Sequence, residues 1–131
     1  MHSTHQKGVV GELEFSLHLM KKGYSVLTPI DPNSSYDLVI EKDNIFTRIQ
    51  VKYCTPKNGV LRVELDRKKR TTKPYREREV DAMAAYDSVH HKFYLLPIKD
   101  IKSIGEIWLR VENSTKSVQK KNMNLAEKFE V

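Results

Sequence analysis

Two strand-like stretches, Tyr36 to Glu41 and Ile45 to Cys54, flank the tripeptide Lys42-Asp43-Asn44, and no other feature constrains the fold as tightly. Both stretches are rich in β-branched and aromatic residues, which suit strands. Asp and Asn tolerate the left-handed backbone of a tight hairpin turn. A two-residue loop at Asp43-Asn44 sets the register, so that Lys42 faces Ile45 and, at the far end, Asp37 faces Gln50. Strand side chains alternate with period two. Gln50 and Lys52 therefore share one face, and Ile45, Thr47, Ile49, Val51 and Tyr53 take the other.

Residues 6 to 22 read as a helix, with Ser3 or Thr4 as its cap and Lys21-Lys22-Gly23 as its stop. At about 100° per residue, Val9, Val10, Leu13, Leu17 and Met20 form one apolar arc, which Phe15 and Leu19 extend. Glu14, His18, Lys21 and Lys22 are expected on the wet side. Glu12 falls between Val9 and Leu19, inside the arc. A carboxylate there is partly dehydrated and needs a partner or a proton.

Tyr24 to Thr28 and Val60 to Leu65 read as further strands. Val80 to Asp87 and Lys92 to Ile98 read as a hairpin turning at Ser88 to His91, although the first half, with two consecutive Ala, is open to a helix. Ile107 to Val111 reads as a strand with Trp108 in the core, and Met123 to Phe129 as a short terminal helix. The order gives an α/β fold: a mixed central sheet with the N-terminal helix packed on it. A length of 131 residues suits a single domain, with a catalytic core over about 6–98 and a C-terminal strand and tail over 99–131.

This order brings a helix carboxylate, a strand carboxylate, an amide and an amine towards one place. Hydrolysis of a phosphodiester needs a cation to polarise the phosphoryl oxygen, a base, and positive charge opposite the transition state. Mg²⁺ takes oxygen ligands, usually including only one or two carboxylates. Asp37 is the natural bridging ligand, Gln50 offers a neutral oxygen, and the backbone carbonyl of Val51 is a third donor. Glu12 can hold a water on the cation, with Mn²⁺ a plausible substitute ion. Lys52 can orient the attacking water or face the developing charge.

The charge balance suits a polyanionic substrate. Lys and Arg number 23 against 17 Asp and Glu, a net charge of +6. Residues 66–79 read as a loop holding Arg67, Lys68, Lys69, Arg70, Lys73, Arg76 and Arg78, with Tyr75 among them, a composition suited to phosphate contact. The lone Cys54 excludes a disulfide framework and a cysteine-rich zinc site. With no apolar run of membrane length and no signal-peptide pattern, the expectation is a cytoplasmic protein. His90-His91 sits in a turn, where no metal role is expected.

Gly8-x-x-Gly11-Glu12, then Tyr36-Asp37-Leu-Val-Ile, then Ile49-Gln50-Val51-Lys52 resembles the PD-(D/E)XK nuclease superfamily, most firmly over residues 8 to 53 and more weakly over 80 to 98. The resemblance implies a restriction-endonuclease-like core and a Mg²⁺-dependent DNA endonuclease with Glu12, Asp37, Gln50 and Lys52 as catalytic residues. Tyr36 replaces the usual Pro, and Gln50 stands where the family usually has Asp or Glu. The Gln pattern is similar to a variant in a small group I intron homing endonuclease, a subgroup itself similar to archaeal Holliday junction resolvases. In those resolvases a Ser precedes the Asp, a place that Ser34 or Ser35 fills here. Homing- or restriction-type cleavage of duplex DNA is thus the first reading and junction resolution the alternative. Cutting both strands of a defined site calls for a homodimer or higher homo-oligomer. A catalytically silent DNA-binding module is the alternative of another class, and an RNA-binding or general basic domain the blandest.

Overall fold

The computed structural model describes residues 3–65, 79–101, 105–112 and 124–131. The chain opens with helix α1, Thr4–Lys21, whose cap is a capping box. The Ser3 hydroxyl accepts from the Gln6 N–H at 3.2 Å, and the Gln6 side chain accepts from the Ser3 N–H at 2.9 Å. The helix ends at Gly23, whose φ of 94° turns the chain back. Three strands follow: β1 at Ser25–Leu27, β2 at Leu38–Lys42 and β3 at Ile45–Cys54. Asp43 and Asn44 both take positive φ, 53° and 65°, so β2 and β3 join by the expected tight hairpin. Its register is the expected one, from Lys42 opposite Ile45 to Leu38 opposite Ile49.

After β4, Val60–Glu64, the chain reaches β5, Ala82–Asp87, which lies parallel to β3 with Ile49 opposite Ala82. Asp81 fixes that register. Its Oδ2 accepts from the Arg48 backbone N–H at 2.8 Å and from Nε at 3.1 Å, while Oδ1 accepts from the guanidinium at 3.0 Å. β6, Lys92–Pro97, returns antiparallel to β5. All six residues of β5 are buried. A strand covered on both faces loses the alternating pattern, which is why Ala82–Asp87 was ambiguous by sequence; the structure makes it a strand.

The main sheet has the order β1-β2-β3-β5-β6. α1 covers one face, where Phe15 and Leu19 join Leu38, Ile40, Ile49, Val51, Ala82, Ala84 and Tyr86. The other face packs against a smaller sheet, β4-β7-β8, with β7 at Glu106–Arg110 and β8 at Asn124–Leu125. Met83, Ala85, Leu61, Val63 and Leu109 fill that interface. The expected helix over 123–129 is instead β8 followed by a 3-10 turn at Ala126–Phe129. Trp108 is half-buried rather than core, with the Arg62 guanidinium 4.3 Å from its ring centre. Among the described residues no helix is long and apolar enough to cross a membrane.

The largest correction concerns α1. Its buried residues are Gly11, Phe15 and Leu19, while Val9, Leu13, Leu17 and Met20 stand 43 to 65 % exposed. Of the expected wet side, Lys21 and Lys22 stay exposed, but Glu14 and His18 turn inward. Glu14 accepts from the Tyr86 hydroxyl at 3.2 Å, and the His18 ring stacks on Phe93 at 3.9 Å. An added Cβ at Gly11 would lie 3.5 Å from both Tyr53 Cβ and Val51 Cγ1, ordinary contact with nothing to spare for a larger side chain. The buried face is thus Gly11, Phe15 and Leu19, and a hydrophobicity wheel gives the first of these no weight.

Candidate active site

β2 ends one residue short of Asp37, and the site forms at that end. The Asp37 N–H donates to the Ile49 carbonyl at 2.9 Å. Its side chain then accepts the Val51 N–H at 2.8 Å, so a carboxylate continues the ladder where the strand has stopped. The side chain thus lies along the sheet edge, beyond the last paired residues. Within a strand a residue's N–H and C=O point to the same side, so the Val51 carbonyl faces the same edge as Asp37.

The other groups arrive from the two faces. Glu12 comes from α1, on the face that holds Val51 and Tyr53. Gln50 and Lys52 lie on the opposite face, beside Met83 and Ala85 of β5. All four candidate side chains are half-buried. The electrostatics tie three of them together. Burial, and then the neighbouring Asp37, push the Glu12 carboxyl up to about 7. Burial also raises Asp37, opposed by the Val51 hydrogen bond and by the Lys52 ammonium. A cluster of this kind, with carboxylates held against their ordinary ionisation beside a lysine, is characteristic of functional sites.

Among the described residues no three His, Cys, Asp or Glu side chains gather to hold a metal. A site here would rest on two carboxylates, Glu12 and Asp37, completed by the Gln50 amide oxygen and the Val51 carbonyl. All of these are hard oxygen donors, and two carboxylates with room for water suit Mg²⁺ or Mn²⁺ better than zinc, which favours nitrogen and sulfur. The residues present are of the chemical type that holds a hard divalent cation.

The serines before Asp37 have local partners. Ser34 Oγ accepts from the Tyr36 N–H at 3.4 Å, and the Ser35 hydroxyl donates to the Glu79 carbonyl at 3.1 Å. Both help to shape the loop that delivers Asp37. Arg67, Lys68, Lys69, Arg70, Lys73, Tyr75, Arg76 and Arg78 lie outside the described residues.

Sequence reasoning missed the basic residues around a groove of about 400 Å³ beside Lys52, where Lys7 of α1 and Arg62 of β4 line the walls. Lys7 and Arg62 lie far apart in sequence, and only the packing of α1 and β4 at the end of β3 brings them together. His90 is also more engaged than a turn residue need be. Its ring bridges Asp87 at 2.7 Å and Glu112 at 2.9 Å, joining the two sheets.

Residues 2–131 match the sequence model of the family described as PD-(D/E)XK endonuclease. Among solved structures, that of a bacterial homing endonuclease superimposes with a TM-score of 0.77 at 26 % identity, covering 98 % of this chain and 89 % of that one. No curated protein sequence matches the chain.

Proposed function

The chain belongs to the PD-(D/E)XK endonuclease family, and from that premise we propose that it is a divalent-metal-dependent endonuclease that cuts duplex DNA in the homing or restriction manner. The observation that carries this reading is electrostatic and geometric. Glu12, from one face of the sheet, lies close enough to Asp37 to be raised by it, and Asp37, raised by burial, lies close enough to Lys52 for the ammonium to oppose that rise.

Asp37, Gln50, Glu12 and the Val51 carbonyl would hold Mg²⁺, with Mn²⁺ as a substitute. The bound ion would polarise the phosphoryl oxygen and acidify water. The chain's own groups supply the rest. Glu12 also orients the attacking water. The Lys52 ammonium faces the charge that builds on the phosphate. Asp37 keeps the end of β3 in place through the Val51 N–H. Residues 66–79 add basic contacts to the DNA backbone, with Ser34 and Ser35 at the margin of the site.

Cleavage of both strands requires a second active site, and we propose a homo-oligomer. The stripe Val9, Leu13, Leu17 and Met20 on the solvent face of α1 supports it, since an apolar helix face costs free energy until something covers it. A silent DNA-binding module has no use for a half-buried carboxylate such as Glu12, and the similarity to a homing endonuclease favours duplex cleavage over junction resolution.

The test uses plasmid, linear duplex and a four-way junction, each with Mg²⁺, Mn²⁺ or EDTA, beside Asp37→Asn. Metal-dependent cutting of duplex, lost in Asp37→Asn, is the expected result. No cleavage of any substrate in either metal would overturn the enzymatic reading. Cleavage of the junction alone would replace the homing reading with the resolvase one.

A further inference from the structure

Gly8 belongs to the motif that first marked this chain, yet the site leaves it without a role. Gly11 has one in its close approach to β3. Gly8 has no such contact, because an added Cβ would meet nothing within 4 Å. A glycine in a helix with open space beside it costs stability relative to alanine without any gain in packing. The open space is the groove of about 400 Å³ lined by Lys7 and Gly8 of α1, Lys52 and Tyr53 of β3, and Arg62 and Glu64 of β4.

The charge of that groove is three cations against one carboxylate. Two of the cations rest against aromatic faces. The Arg62 guanidinium lies 4.3 Å from the Trp108 ring centre, and Lys7 Nζ lies 5.9 Å from that of Tyr53. An aromatic face orients a cation and leaves its charge available to an anion, whereas a carboxylate would neutralise it. The cross-strand pairing of Arg62 with Trp108 holds the guanidinium on the small sheet, across the groove from α1. Lys52 stands in the wall, so the groove opens directly from the proposed site of chemistry.

We propose that this groove is the track of the DNA strand being cut: Lys7 and Arg62 each bind a backbone phosphate next to the one at Lys52, and Gly8 leaves the room for that strand to pass α1. The proposal rests on the nuclease reading and names the part of the surface that holds the substrate. Backbone contacts of this kind fix the register of the DNA without reading its sequence.

The test separates binding from chemistry. Fluorescence anisotropy with a labelled 30-base-pair duplex in EDTA gives Kd across a salt series for wild type, Lys7→Ala, Arg62→Ala and Gly8→Ala. Lys42→Ala, at the β2–β3 turn and away from the groove, is the control. Lys7→Ala and Arg62→Ala should each weaken binding roughly tenfold and lower the slope of log K against log salt by about 0.9, the loss of one phosphate contact. Their cleavage rates at DNA concentrations well below Kd should fall by about the same factor as binding. Gly8→Ala should melt at a higher temperature than wild type and still bind more weakly. Lys42→Ala should keep the wild-type slope. Unchanged Kd and slope in both Lys7→Ala and Arg62→Ala, with wild type binding DNA, would overturn the track and leave the nuclease reading standing. Wild type that binds no DNA would overturn both.

Discussion

Glu12 is held in a place that costs the fold stability. Burial and Asp37 lift its carboxyl from 4.5 to about 7. Between those values the unfolded chain has released the proton and the folded chain has kept it. The folded state then binds more protons, so stability falls as pH rises across that window and levels off above it. At about 1.36 kcal/mol per decade the ceiling of the penalty is about 3.4 kcal/mol. The group is only half-buried, and solvent screening reduces that to about 1 kcal/mol. Glu12→Gln keeps the shape and removes the charge. In EDTA it should match wild type at pH 4.5 and be more stable by about 1 kcal/mol at pH 8, a rise in Tm of roughly 3–5 °C. Urea unfolding of both proteins at pH 4.5, 6, 7 and 8 reads the difference directly, and groups common to both cancel. The variant should be inactive, and Mg²⁺ should narrow the gap by stabilising wild type more. A gap that does not change with pH, or a variant less stable than wild type at pH 8, would refute the reasoning.

Gln50→Glu should restore a carboxylate to the site. We expect the Mg²⁺ concentration for half-maximal activity to fall on the order of tenfold, since ligand charge sets affinity, with metal-free stability falling as a third carboxylate joins the cluster; a metal titration of cleavage checks the first and urea unfolding the second. Asp81→Ala should cost about 1–2 kcal/mol by removing the acceptor of three bonds from Arg48, at the low end because both side chains are about a third exposed; equilibrium unfolding at neutral pH measures it. His90, raised by its bond to Asp87 and then by Glu112, should contribute stability that is fully present below its unfolded value near 6.5 and is lost as pH rises through its higher folded value. His90→Ala should therefore flatten the melting temperature of the Glu12→Gln protein between pH 6 and 8.

The hairpin was legible because its determinants are local. Two residues at the turn set the register, and that register held to Leu38 opposite Ile49. It did not extend to the residue that matters most. Asp37 was expected to face Gln50, yet the ladder stops at Leu38 and the Asp37 carboxylate takes the Val51 backbone N–H instead. A period-two pattern assigns faces, whereas this side chain lies in the plane of the sheet, at an edge made by the end of a strand. The helix failed for a related reason. Its wheel ranked residues by hydrophobicity, and the buried face of α1 begins with Gly11, which has no side chain to rank. Glu12 survived the error because it borders both arcs: on one side are the buried Phe15 and Leu19, on the other the exposed Val9, Leu13, Leu17 and Met20. That position gives α1 two apolar faces with a carboxylate between them, one seated on the sheet and one open to solvent. The oligomer proposed above would close the second face next to Glu12. Leu13→Glu with Leu17→Lys should then give a folded monomer in sedimentation velocity that nicks plasmid DNA but no longer linearises it. If the double variant keeps the wild-type sedimentation coefficient, this face is not the contact.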